Sequence, residues 1–265
     1  LEQDRTQQVS QFAQITLWSV VGGGVLSLML ALFRAGAWSF APLVIALVVI
    51  GAVYASKAEQ WRKAFKWRVM TRLVKYFNPN LEYRPDGYIS QREYELSMLF
   101  HNSPDPDRYH GEDLIEGVVD KTDIRLSELH TEYKQVTYDS KGRRHEHWVT
   151  IFRGLFISAD FHKHFQGVTL VLPDTEQSWL GGFGQWLQSL SAKLGNQPGE
   201  LVKMEDPEFE RLFKVFSTDQ IEARYILTPN MIRRILEFRA RTNAPIRLSF
   251  IASRVFVAVP TSHNH

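Results

Sequence analysis

The chain has 265 residues, 44 % of them apolar, enough for one large or two small domains with a buried core. The absence of cysteine excludes disulfides, thiol catalysis and zinc–thiolate sites. The net charge is only +2, and its positive excess is concentrated in one stretch, 56–77, whereas a polyanion-binding domain spreads positive charge over a folded face; that calls for a local cause, and no nucleic-acid partner is expected.

The first predicted elements are two apolar runs, Phe12 to Phe33 and Phe40 to Ala55, separated by Arg34, the lone formal charge between Thr6 and Ser56. A helix rising ~1.5 Å per residue needs ~20 residues to cross a ~30 Å hydrocarbon core. The first run meets that length, and the second does if Ala35 to Ser39 contribute. The pattern predicts a transmembrane hairpin, since soluble core helices usually show a polar face and these runs show none. Small residues at every fourth position, Ser19, Gly23 and Ser27 on the first run and Gly51 and Ala55 on the second, suit close helix packing. The rival reading is a cleaved signal peptide, with Ala35, Gly36 and Ala37 as its A-x-A-like site; the length of the run and the second span behind it weigh against that. Leu1 is not a methionine, so the true N-terminus is expected upstream.

After the second run the charge changes sharply. Between Ser56 and Phe77 stand Lys57, Arg62, Lys63, Lys66, Arg68, Arg72 and Lys75 against Glu59 alone. Basic loops stay on the cytoplasmic side, which predicts that both termini are cytoplasmic. On a helix at about 100° per residue the apolar side changes midway. Trp61, Arg62, Lys63 and Lys66 are the expected membrane-surface contacts, attraction to anionic lipid being worth ~1 kcal/mol per basic residue. Met70, Leu73 and Phe77 are expected to pack on the following domain, and Asn78-Pro79-Asn80 to end the helix.

Beyond Leu81 the pattern mixes helices and strands. Ser90 and Glu93 form a capping box that opens a helix running to about Phe100. Strand-like runs follow over 113–119, 123–138 and 145–161, the last two joined at Asp139-Ser140-Lys141-Gly142 as a long hairpin. Alternation slips between Leu126 and Leu129, which predicts a bulge near Ser127 and Glu128. A strand over Gly167 to Asp174 precedes an aromatic helix over 177–194, whose Trp179, Phe183 and Trp186 are either core residues or a partner-docking face. Asp206-Pro207 and Thr228-Pro229 are N-cap and first-turn proline pairs. The second opens a helix over Pro229 to about Arg241, and Ile246 to Ile251 and Val255 to Val259 read as a hairpin turning at Ala252-Ser253.

The expected fold class is therefore α+β: a transmembrane helical hairpin followed by a cytoplasmic domain with a mostly antiparallel sheet and several helices. Its expected divisions are an N-terminal segment 1–11, the hairpin 12–56 with spans at about 12–33 and 36–56, a basic juxtamembrane helix 57–80, the α+β domain 81–260 and a tail 261–265.

Candidate chemistry is sparse. His145/His147 and His162/His164, the latter beside Asp160, have the H-x-H spacing that puts two imidazoles on one face of a strand. His162 and His164 are the weak metal candidates, and a metal-dependent hydrolase is the third functional reading. Solvated histidines at strand ends account for the same pattern, and no nucleophile-elbow, zincin or phosphate-loop motif accompanies them. No catalytic residue and no cofactor are expected.

The stretches FRGLFISADFHKHF (Phe152 to Phe165), VLPD (Val171 to Asp174) and LVKMEDPEFERLFKVFSTDQIEARYILTPNMIRRIL (Leu201 to Leu236) resemble an uncharacterised bacterial family catalogued only as a domain of unknown function. The resemblance, over nearly the whole chain, implies two N-terminal membrane spans and one cytoplasmic α+β domain, and carries no activity or catalytic residue with it. Members are often encoded beside LemA-type membrane proteins, which implies a shared membrane assembly by association. The expected function is a non-enzymatic, membrane-anchored binding or assembly module. Its expected partners are membrane lipids and another membrane protein, LemA-type or a second copy. The alternative is a lipid-headgroup or small-ligand binder at the membrane surface.

Overall fold

A computed structural model describes residues 66–174 and 199–261, together with 44, 45, 48, 51 and 52. The chain divides into two compact units, Leu1–Lys66 and Trp67–His265. In the first, the described residues 44, 45, 48, 51 and 52 are helical. The second begins within a helical segment, 66–77, that ends where the sequence places Asn78-Pro79.

Among the described residues the body of the second unit is a single nine-stranded sheet. Its strands in chain order are β1 (Leu81–Arg84), β2 (Arg108–Val119), β3 (Thr122–Tyr138), β4 (Arg144–Asp160), β5 (Thr169–Pro173), β6 (Glu200–Val202), β7 (Phe213–Ser217), β8 (Arg247–Ile251) and β9 (Arg254–Pro260). Their order across the sheet is β1-β2-β3-β4-β9-β8-β5-β7-β6. Every pairing is antiparallel. Helices α1 (Gln91–Leu96), α2 (Pro207–Leu212), α3 (Gln220–Ile226) and α4 (Pro229–Thr242) lie between the strands.

The expected fold class needs correction. Among the described residues no helix is long and apolar enough to cross a membrane. Among the described residues the second unit is a sheet with few helices, and α1, α2 and α3 have only six or seven residues each. The spans expected at 12–33 and 36–56 lie outside the described residues except for the five helical positions above.

The sheet buries apolar side chains on both faces, because neighbouring positions of one strand belong to different clusters. On β5, Leu170 and Leu172 join one cluster while Val171 joins the other. The first cluster gathers Phe152, Phe156 and Phe256 from β4 and β9 under Ile89, Tyr94, Leu99 and Phe100. The second holds Phe209 of α2, Ile226 of α3 and Ile232 and Ile235 of α4 against Val215, Leu248 and Phe250. The predicted caps are in place: Ser90, Asp206 and Thr228 each accept a bond from the third backbone N–H of their helix. α1 ends at Leu96, short of the expected Phe100, as Met98 turns into the left-handed region at φ 58°.

The predicted bulge near Ser127 and Glu128 falls on the neighbouring strand. β3 pairs with β4 without interruption from Ile124 to Thr131, and the irregularity lies in β2 between Glu112 and Ile115. What resembles a phase slip in the sequence is a buried serine at an inward position. The Ser127 hydroxyl accepts the Ile89 N–H at 3.1 Å, so a polar side chain occupies the core face without loss of its hydrogen bond.

Behind α1, the His101 ring sits against the Met98 carbonyl, with Nδ1 2.6 Å from its oxygen. Burial, aided by the positive Arg247 and opposed by the Met98 contact, lowers the imidazole from the ordinary 6.5 to about 4. The unfolded chain then binds a proton that the folded chain does not, so stability falls as pH drops through 6.5 toward 4. Urea unfolding at about pH 5 should give a stability roughly 2 kcal/mol lower than at about pH 7 from this group, and His101→Gln should flatten that slope.

Candidate interaction surfaces

The helical segment 66–77 sorts its side chains by direction. Val74 is 6 % exposed, with Met70 and Thr71 half-buried. At about 100° per residue, Val69, Leu73, Tyr76 and Phe77 share a second side, and there they are exposed, Tyr76 to 85 % and Phe77 to 76 %. Arg68, Arg72 and Lys75 line the adjoining side, all exposed. Lys75 also donates to the Pro79 carbonyl at 2.9 Å, a cation closing the C-terminal end.

This corrects the expectation that Leu73 and Phe77 pack on the following domain. In this segment Val74 is the buried apolar side chain, and Leu73 and Phe77 are exposed. Of the expected membrane-surface contacts, Lys66 is half-buried at the start of the segment, and Trp61, Arg62 and Lys63 lie outside the described residues. Trp179, Phe183 and Trp186 lie outside them as well.

A second surface arises from unequal strand lengths. β3 and β4 have 17 residues each, whereas β2 begins opposite Glu132 and β9 stops at the Gly154–Pro260 pair. From Tyr133/Val149 to Tyr138/Arg144 the hairpin therefore continues as a two-stranded arm. Such ribbons are marginal alone, and this one is reinforced along its length. Asp139 accepts the backbone N–H groups of Lys141 and Arg143, both at 2.9 Å, and pairs with the Arg143 side chain at 2.7 Å. Those bonds hold the Asp139 carboxyl below the usual carboxylate range. Gly142, at φ 75°, turns the chain back. Glu146 pairs with both Lys134 and Arg144, and the Lys134 contact holds its carboxyl low.

Directly opposed residues share a face. One face of the arm carries Gln135/His147 and Thr137/His145; the other carries Lys134/Trp148, Val136/Glu146 and Tyr138/Arg144. On this second face Arg108 stacks its guanidinium 3.5 Å from the centre of the Trp148 ring, and Tyr138 stands 69 % exposed near the turn. Sequence reasoning found the hairpin but missed this face, although an aromatic recurring among basic residues at strand spacing is visible in it.

The histidine pairs do not converge. His145 lies 3.5 Å from Asp139, and His147 bonds Gln135 at 2.8 Å. His162 spends both ring nitrogens locally, Nδ1 toward Asp160 at 3.0 Å and Nε2 toward Thr122 at 3.2 Å, while His164 is exposed. Among the described residues the group able to offer three ligand atoms to a metal is Glu112, Asp113 and Glu128, which contains no histidine. There the Tyr83 hydroxyl donates to Asp113 at 2.5 Å, and burial together with that carboxylate pushes the phenol upward. Where β9 ends beside β4, a cleft of about 220 Å³ is lined by Thr150, Phe152, Arg247, Ala258 and Pro260. That is smaller than the ~300–1,000 Å³ usual for small-molecule sites.

Among solved structures, the crystal structure of the mycobacterial trehalose monomycolate transport factor A, TtfA, is similar at 11 % sequence identity and a TM-score of 0.38, over 72 % of this chain and 79 % of that one. No curated protein matches. The family described as "Protein of unknown function (DUF3137)" matches residues 150–265. That is a shorter extent than the resemblance over nearly the whole chain implies, and it begins inside β4 at the root of the arm. Residues 150–265 are a DUF3137 domain.

Proposed function

We propose that the protein is a non-enzymatic binding module that rests on an anionic membrane surface through segment 66–77 and recruits a partner protein there. The observation that carries this reading is the exposed apolar side of Val69, Leu73, Tyr76 and Phe77 beside the basic side of Arg68, Arg72 and Lys75. A helix with that division lies in the interface plane, its apolar side among the acyl chains and its cations at the headgroups. Surface contact alone is required. The compartment we assign is the cytoplasmic face of the bacterial inner membrane, and the sequence resemblance makes a LemA-type membrane protein the first partner to try.

The lack of native cysteine permits a direct test, because a fluorophore on Phe77→Cys labels one position only. Vesicles containing phosphatidylglycerol should shift its emission to the blue, and phosphatidylcholine vesicles should not. Arg68→Glu with Arg72→Glu should raise the lipid concentration needed by about thirtyfold or more, from ~1 kcal/mol per basic residue. A label whose emission is indifferent to anionic vesicles would refute the assignment.

A further inference from the structure

The arm projects from the sheet away from segment 66–77. A Cβ at Gly117 would meet the Asn80 carbonyl oxygen at 2.2 Å, so the chain leaving the segment passes directly against Gly117, which pairs with Ile124 of β3. From Ile124 the same strand runs on to Tyr138 at the arm's turn, about 45 Å at ~3.3 Å per residue. The C-terminal end of the helical segment and the turn of the arm thus stand at opposite ends of one strand.

The composition of the arm says what would cover it. Within 133–149 the cations are Lys134, Lys141, Arg143 and Arg144, and the anions Asp139 and Glu146. Both carboxylates are already engaged inside the hairpin. Any further acid must come from outside. A second copy presenting the same face would set like charges against each other, which costs binding energy. Trp, Tyr and Arg are also the side chains that most often anchor protein interfaces, and Trp148, Tyr138 and Arg108 share this face. Along the outer edge of β3 the Asp107 carboxylate holds the Lys134 N–H at 2.7 Å, and among the described residues no strand pairs with 135–138 on the side away from β4. That edge is open to an added strand.

From these features we infer that the arm is the docking strand for an acidic, extended segment of a partner protein. The segment pairs its backbone along the free edge, sets its carboxylates against Lys141 and Arg144, and lays apolar side chains on Trp148 and Tyr138. The inference deepens the recruitment reading above and rests on it.

The probe is a fluorescent dodecapeptide of alternating glutamate and valine, titrated with the full chain in lipid-free buffer and read by anisotropy, with the alternating lysine–valine peptide as control. The acidic peptide should bind in a salt-sensitive manner and the basic one should not. Trp148→Ala should weaken binding roughly tenfold or more, as loss of an interface anchor does. Lys141→Glu with Arg144→Glu, exposed positions near the turn that leave the aromatic residues in place, should abolish it. Arg68→Glu with Arg72→Glu should leave it unchanged, so failure of the membrane reading shows only in the vesicle experiment. Equal binding of both peptides, indifference to both arm variants, or a concentration-dependent dimer lost in the arm variants would each overturn the proposal. So would loss of vesicle binding in the arm variants, which would make lipid the occupant.

Discussion

Phe156→Ala should destabilise the second unit by about 3–5 kcal/mol, measured as the shift in urea unfolding midpoint at constant slope. The ring is wholly buried in the second half of β4, and Tyr94, Phe152 and Phe256 surround it at centroid distances of 5.5, 6.4 and 6.2 Å. Those neighbours come from α1, from the same strand and from β9, so the cavity left by truncation is walled by elements that cannot close together. Phe156→Leu keeps most of the volume and should cost about 1–2 kcal/mol. A loss below about 1 kcal/mol for the alanine variant would mean that the first cluster is not the continuous core described above.

Gly154→Ala is the second large effect. Gly154 sits at φ 152°, a backbone conformation that side-chain-bearing residues rarely adopt, and an added Cβ would lie 2.1 Å from the Val259 carbonyl oxygen and 2.9 Å from the Pro260 Cα. Both obstacles are backbone atoms of the paired strand. Conformational strain of about 1–3 kcal/mol and separation of the strand ends act together, for an expected loss of about 3 kcal/mol or more. Hydrogen exchange should locate the damage: protection of Leu155 to Ile157 and Val257 to Val259 should drop, while that of Phe209 to Val215 should hold. Gly154 also marks where β4 leaves β9 to become the arm, so the same substitution loosens the root on which the arm stands.

The elements that sequence located well are those with local chemistry. Ser90, Asp206 and Thr228 declare helix starts through their own side chains, and Asp139 with Gly142 declares a turn. The terminal hairpin is legible despite Ala252 and Ser253 both lying in the left-handed region at φ 51° and 60°, because the apolar runs on either side frame it. Where tertiary context decides, the sequence reading fails. Ser127 is polar yet inward, so an alternation rule places the irregularity on the wrong strand. Strand β7 is buried at four of its five positions, because the sheet is covered on both faces there, and it therefore lacks the period of two that would identify it. Leu73 and Phe77 are apolar yet outward, and hydrophobicity alone does not say whether such a side meets protein or another surface. Of the candidate surfaces, the basic side of 66–77 is readable from composition. The arm's aromatic face becomes visible only once the ends of β2 and β9 are known.

The order of the strands has a consequence for how the protein is made. β8 and β9, the latest in chain order of the strands named above, lie within the sheet between β4 and β5. Until Arg247 to Pro260 emerge, the nascent chain holds two separate half-sheets, β1 to β4 and β5 to β7, each with an edge awaiting its neighbour. Exposed edges of that kind are the places where incomplete chains associate wrongly. The hairpin is a keystone set after its neighbours, and a pause in translation before Arg247 leaves the facing edges of β4 and β5 uncovered.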